Sequence, residues 1–137
     1  MLAINGVLET AVYVENLELA RDFYGRIMRL PSMYDDQRMS AYEIGPKQVF
    51  LVFKRGSSSE PSVLAGGTIP GHDAHGRTHV AFAVSAGELR SWELHLPQQQ
   101  VVIESRMTWP KGGKSIYFRD PDGNLIELAT PGLWPNY

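Results

Sequence analysis

An α+β fold of two repeated βαβββ halves, forming a curved mixed-sheet cup with flanking helices, is predicted by three observations. Short runs rich in β-branched and aromatic residues open both halves, at Val7–Val14 and Thr78–Val84. Each run is followed by an apolar series at helical spacing, and each helix by three further strand-type runs. A Gly-, Ser- and Pro-rich stretch separates the two sets.

In the first half, Glu15-Asn16-Leu17 turns the chain after the opening strand, and Asn16 caps a helix. Leu19, Ala20, Phe23, Tyr24 and Ile27 form its apolar face. After Pro31 the predicted strands are Ser32–Asp35, Met39–Ile44 and Gln48–Lys54, the last two parted by Gly45-Pro46. From Gly56 to Arg77 large apolar residues are scarce, which reads as a long connecting loop.

The second half repeats the plan. Ser85 or Gly87 opens a helix carrying Leu89, Trp92 and Leu96, and Pro97 is expected to end it. Val101–Trp109 and Lys114–Arg119 read as strands, and Asp120–Asn124 as a turn into the closing strand Leu125–Ala129. The expected organisation is a single domain over 137 residues, with one module at about 5–56, a linker at 57–76 and a second module at about 77–131.

Composition narrows the function classes. The chain is 43% hydrophobic and 20% charged, an ordinary globular balance that excludes disorder and fibrous repeats. A net charge of −2, without a basic stripe, disfavours nucleic acid as a partner. The absence of cysteine removes disulfides, thiolate metal sites and a cysteine nucleophile. No run approaches the roughly 20 apolar residues of a membrane helix, so the expectation is a cytoplasmic protein without membrane partners.

Three residues stand out because their types conflict with their surroundings. Glu9 sits in a strand expected to be largely buried, where an uncompensated carboxylate costs several kcal/mol. The plainer alternative is a strand-end glutamate that reaches solvent or pairs with an arginine. His79 holds the equivalent place in the second half, sharing a strand face with the small Ala81 and Ala83, or it is a hydrogen-bonded structural histidine. Glu127 interrupts the apolar run Leu125-Ile126-Glu127-Leu128-Ala129 and needs compensation, either a cation ligated in the cup or a salt bridge with Arg77 or Arg119. Two carboxylates and one imidazole balance a divalent ion (Mn, Zn, Ni, Fe or Mg) and leave positions open for substrate.

Other polar groups gather near the expected cup. His72 and His75 lie in Gly71–Gly76 and read as solvated loop histidines rather than additional ligands. Trp109, Lys111, Lys114 and Tyr117 surround the tip Pro110–Gly113, where a lid or rim is possible; Lys114 and Tyr117 are candidates for contact with an anionic or oxygen-bearing substrate. Arg119 is expected to pair with Asp120 or Glu127. Asp120–Asn124 lacks the spaced glutamate of a calcium loop, and no phosphate loop or nucleophile elbow occurs.

The runs Leu8–Val14 with Leu19–Tyr24, His79–Val84, and Tyr117–Leu128 resemble the opening strand and helix, the second-module start and the closing hairpin of the vicinal oxygen chelate superfamily. This superfamily comprises glyoxalases, bleomycin-resistance proteins and extradiol dioxygenases. The resemblance implies that Glu9, His79 and Glu127 hold the metal, with Glu127, Tyr117 and Lys114 as catalytic candidates acting on a small-molecule substrate. It also implies a homodimer. Glyoxalases take a fourth ligand from the strand matching Val49–Phe53, and none of those residues binds metal. A single histidine likewise departs from the two-histidine iron site of many dioxygenases. The expected chemistries are lyase or isomerase steps through an enolate, then thiol transfer that opens an epoxide, then oxygen-dependent ring cleavage. The rival expectation is a non-catalytic drug-binding cup lined by Trp92, Trp109 and Phe82.

Overall fold

The computed structural model describes residues 1–137 and divides into two compact units, Met1–His75 and Gly76–Tyr137. In the first unit, β1 (Glu9–Val14) leads into α1 (Leu17–Arg21), followed by β2 (Ser32–Asp35), β3 (Met39–Ile44) and β4 (Gln48–Lys54). The strands lie in the order β1-β4-β3-β2, with β1 and β4 parallel and the other neighbours antiparallel. Alternation then sorts the side chains: Val12, Val14, Tyr42, Phe50 and Val52 are buried on one face, while Glu9, Ala11 and Tyr13 share the other with Val49, Leu51 and Phe53.

Asn16 caps α1 as expected, its side chain accepting from the Leu19 N–H at 3.1 Å. Over Asp22–Ile27 the coil widens to π-type turns, which the apolar spacing does not disclose. Ala20, Phe23, Tyr24 and Ile27 are buried, whereas Leu19 is 56% exposed and falls off the packing face. Two other expectations shift in this unit. Val7 and Leu8 lie outside β1 and are exposed, so Glu9 begins the strand rather than sitting within a buried run. The linker is not structureless: β5 (Ser62–Leu64) and β6 (Gly67–Ile69) form a small antiparallel hairpin.

The second unit contains β7 (His79–Ala83), α2 (Ala86–Gln98), β8 (Ser105–Thr108), β9 (Lys114–Arg119) and β10 (Leu125–Ala129). Its order, β7-β10-β9-β8, and its mixture of one parallel and two antiparallel pairings reproduce those of the first unit. The α+β repeat is therefore present at the level of hydrogen-bond topology. Ser85 and Glu88 close a reciprocal capping box at the start of α2. Pro97 does not stop the helix; it lies inside the last turn, which runs on to Gln98 at the loss of one ladder donor. The strand expected over Val101–Trp109 is shorter, pairing with β9 only over Ser105–Thr108. No helix is long and apolar enough to cross a membrane.

Candidate metal site on the second sheet

The site is built on the face of the second sheet that α2 does not cover. Parallel pairing sets His79 beside Leu125 and Ala81 beside Glu127, and antiparallel pairing sets Glu127 beside Tyr117 and Ala129 beside Ser115. On the opposite face Ile116, Phe118, Ile126 and Leu128 are buried apolar residues. Glu127 thus projects from a strand anchored by hydrophobic packing behind it.

The turn before β10 fixes its alignment with β7. Asp120, buried, accepts the backbone N–H groups of Asp122 and Asn124 and the Asn124 side-chain amide, at 2.8–3.0 Å. Asn124 in turn accepts from the Thr78 backbone N–H and hydroxyl through Oδ1, at 2.9 and 3.0 Å. The residue beside His79 is thereby tied to the residue before β10, so a turn with no ligand of its own sets the spacing of the His79–Glu127 pair.

That pair meets at 3.2 Å between His79 Nε2 and Glu127 Oε1. The other ring nitrogen, Nδ1, lies 2.9 Å from the Leu125 carbonyl oxygen, which can only accept, so Nδ1 carries the proton. In the neutral imidazole Nε2 then presents a lone pair toward a carboxylate oxygen. Such a contact needs a proton or a cation between the two atoms. Adjacent donors each about 2.1 Å from a divalent ion are separated by roughly 3.0 Å in octahedral and about 3.4 Å in tetrahedral geometry. The observed 3.2 Å lies between these values. Donation of the outer ring N–H to a carbonyl is also the usual support of a metal-bound histidine. The donor set and its spacing therefore fit a divalent ion.

The rest of the site was not evident from sequence. Ser115, buried, donates its hydroxyl to Glu127 Oε2 at 2.5 Å and receives the Trp109 indole N–H at 2.9 Å. Ser115 alternates with apolar residues in a strand, and only the β9–β10 register reveals that it shares the face of Glu127. No arginine compensates Glu127: Arg119 pairs with Glu104 at 2.7 Å and donates to the Gly123 carbonyl, and the Arg77 stem packs on Gly123. Tyr117 is half-buried beside the pair, its ring centroid 6.5 Å from that of His79. Burial foremost, then the Glu127 charge, raise its pKa above the ordinary phenol value of 10.0, so its hydroxyl stays protonated.

The remaining candidates fall elsewhere. Glu9 belongs to the first unit, exposed at the start of β1 in the position that His79 holds in β7. The chain holds no group of three or more His, Asp and Glu side chains that could bind a metal ion. Leu51 takes in the first sheet the place that Glu127 takes in the second. Lys114 starts β9 on the face opposite Ser115 and lines a cavity against α2, away from Glu127. His75 is a solvated loop residue near Asp73, but His72 is not: its Nδ1 lies 2.6 Å from the Tyr13 hydroxyl, and its ring packs edge-on against Phe53 at 4.7 Å. The tip at Pro110–Gly113 is closed by its own backbone, with Trp109 N–H bonded to the Gly113 carbonyl at 2.8 Å.

A family model described as the Glyoxalase/Bleomycin resistance protein/Dioxygenase superfamily matches residues 6–128. Among curated proteins, the chain is 41% identical over 61 residues to a metallothiol transferase FosB of Staphylococcus epidermidis, a match spanning 44% of this chain and 43% of that relative. Against the FosB of Bacillus licheniformis it is 26% identical over 135 residues, covering 98% of this chain and 79% of the relative. Among solved structures, a lactoylglutathione lyase from Agrobacterium tumefaciens superposes with a TM-score of 0.87 at 28% identity, covering 96% and 98% of the two chains. The fosfomycin resistance protein FosX from Mesorhizobium loti shares the fold, with a TM-score of 0.64 at 19% identity over 93% of each chain.

Proposed function

The chain belongs to the glyoxalase/bleomycin resistance protein/dioxygenase superfamily, and on that premise we propose that it is a divalent-metal-dependent enzyme that transfers a small thiol to an oxygen-bearing electrophile. The observation that carries this reading is the 3.2 Å approach of His79 Nε2 to Glu127 Oε1, a buried carboxylate with which no lysine or arginine pairs. Glu9 is the third donor in this proposal, because it holds in β1 the place of His79 in β7 and its carboxylate is exposed. A bound ion would draw electron density from substrate oxygens and stabilise the negative charge that develops as a carbon–oxygen bond opens.

The chain's own residues supply positioning. The Leu125 carbonyl holds the His79 ring, and the Ser115 hydroxyl, itself held by Trp109, holds Glu127. Tyr117, whose hydroxyl stays protonated through neutral pH beside Glu127, is the proton donor in this proposal and would protonate the oxygen released from the substrate. With no cysteine in the sequence, the nucleophilic sulfur comes from a low-molecular-weight cosubstrate. Thiol transfer is preferred to lactoylglutathione lyase chemistry because Val49–Phe53 offers no side chain that could serve as a fourth ligand.

Metal analysis of protein purified without chelators, followed by a panel of epoxide and thiol pairs assayed with the retained ion, tests this reading. A divalent ion that is retained by the parent and lost from Glu127→Gln, together with thiol consumption, is the expected result. A parent protein that takes up no divalent ion, or a Glu127→Gln variant with unchanged uptake, overturns it. Homodimerisation goes with this proposal, and mixing Glu9→Gln chains with His79→Ala chains tests whether donors are shared between copies.

A further inference from the structure

The second unit contains a cavity of about 390 Å³ between α2 and the β8–β9 edge, within the size range of small-molecule sites. It lies behind the sheet relative to Glu127. Leu89 of α2 and Ile116 of β9, both buried, give it an apolar floor. Three cationic side chains line its rim: Arg90 on α2, Arg106 on β8 and Lys114 on β9. One acid stands among them, Glu93, and it is occupied by Arg106 at 3.0 Å. Arg90 and Lys114 therefore face one space from two elements with no acidic partner. Like charges converging on a concavity with low-dielectric walls attract a counter-ion more strongly than the same charges on a flat surface.

We propose that this cavity is a second small-molecule site that takes an organic acid, with its carboxylate between Arg90 and Lys114 and its apolar part against Leu89 and Ile116. The assignment gives Lys114 a ligand-binding role behind the sheet, and it holds whether or not the metal reading does. Arginine presents a planar fork that suits the two oxygens of a carboxylate, and the lysine adds a point charge from the opposite wall. The exposure of both cations makes the expected affinity modest.

The test is an amide NMR titration of chelator-treated protein with benzoate, with benzamide as its neutral counterpart and inorganic phosphate as an anion lacking an apolar part. Benzoate is expected to give saturable shifts at Leu89, Arg90 and Ile116 with a Kd on the order of 1 mM. Benzamide is expected to give none. The Arg90→Gln/Lys114→Gln double variant, changed only at exposed positions, is expected to bind benzoate at least about tenfold more weakly while keeping the remaining spectrum. Equal binding of benzamide and benzoate, unchanged affinity in the double variant, or saturation by phosphate but not benzoate overturns the proposal. So does a response confined to His79 and Glu127.

Discussion

Ser115 donates its hydroxyl proton to Glu127 Oε2 across 2.5 Å while its oxygen accepts the Trp109 indole N–H. Removal of that hydroxyl leaves a buried carboxylate oxygen and an indole donor unsatisfied, at about 1–3 kcal/mol for such a group. Ser115→Ala should lower the denaturant midpoint accordingly. It should also weaken divalent-metal binding by roughly 10- to 100-fold, the usual consequence of losing support to a ligand. Equilibrium unfolding and a competitive metal titration check both arms; unchanged metal affinity would remove the positioning role assigned to Ser115.

A ligand that binds only the folded chain stabilises it by about 2.7 kcal/mol at a free concentration a hundredfold above its Kd. Addition of the functional divalent ion to stripped protein should therefore raise the thermal midpoint. His79→Ala should abolish that rise, whereas His75→Ala, altering a histidine 81% exposed on the linker, should retain it. Scanning calorimetry with and without metal distinguishes the two variants.

Asp73 ties the linker to the end of β4 by accepting the Gly56 backbone N–H at 3.0 Å. That bond, first among several influences, lowers its pKa below the ordinary value of 3.8. Because the folded pKa is depressed, the contribution is complete above about 3.8 and is lost as pH falls through the lower folded value. The Gly56 amide resonance should move over that acid range, and the His72–Tyr13 contact should loosen with it. In Asp73→Asn the Gly56 shift should be flat across the same titration.

Gly113 and Gly132 approach so closely that a methyl group on Gly113 would lie 2.7 Å from the Gly132 carbonyl carbon. Backbone cannot yield as a flexible side chain does, so Gly113→Ala should destabilise by about 1–3 kcal/mol. Gly87, in the first turn of α2, has nothing within 4 Å of an added Cβ. Gly87→Ala should instead stabilise by about 0.5–1 kcal/mol, through the reduced entropy of the unfolded chain. Urea denaturation of the two variants checks the opposite signs.

Where one face of a strand is apolar and turn residues bound it, the boundaries were legible in the sequence. The strands at 32–35, 39–44, 48–54, 114–119 and 125–129 form with the bounds that their β-type residues and flanking turn residues predict. The hairpin at Ser62–Ile69 is not legible in the sequence, because three-residue strands leave too few positions for alternation to register. The packing of His72 is hidden from local sequence because the residues it meets, Tyr13 and Phe53, are distant along the chain.

Residue chemistry and strand period were sufficient to single out His79 and Glu127, since a carboxylate in an apolar strand demands compensation wherever it folds. They also indicated the repeat of element types along the chain, whereas the strand orders β1-β4-β3-β2 and β7-β10-β9-β8 rest on long-range pairing. Only tertiary structure decided what compensates Glu127: the register of β9 against β10 delivers Ser115, and the parallel pairing of β7 with β10 delivers His79. It also decided that Lys114 faces α2 rather than the metal pair. Side-chain neighbours across a sheet depend on which residues pair, and pairing is set by long-range contacts that local patterns leave open.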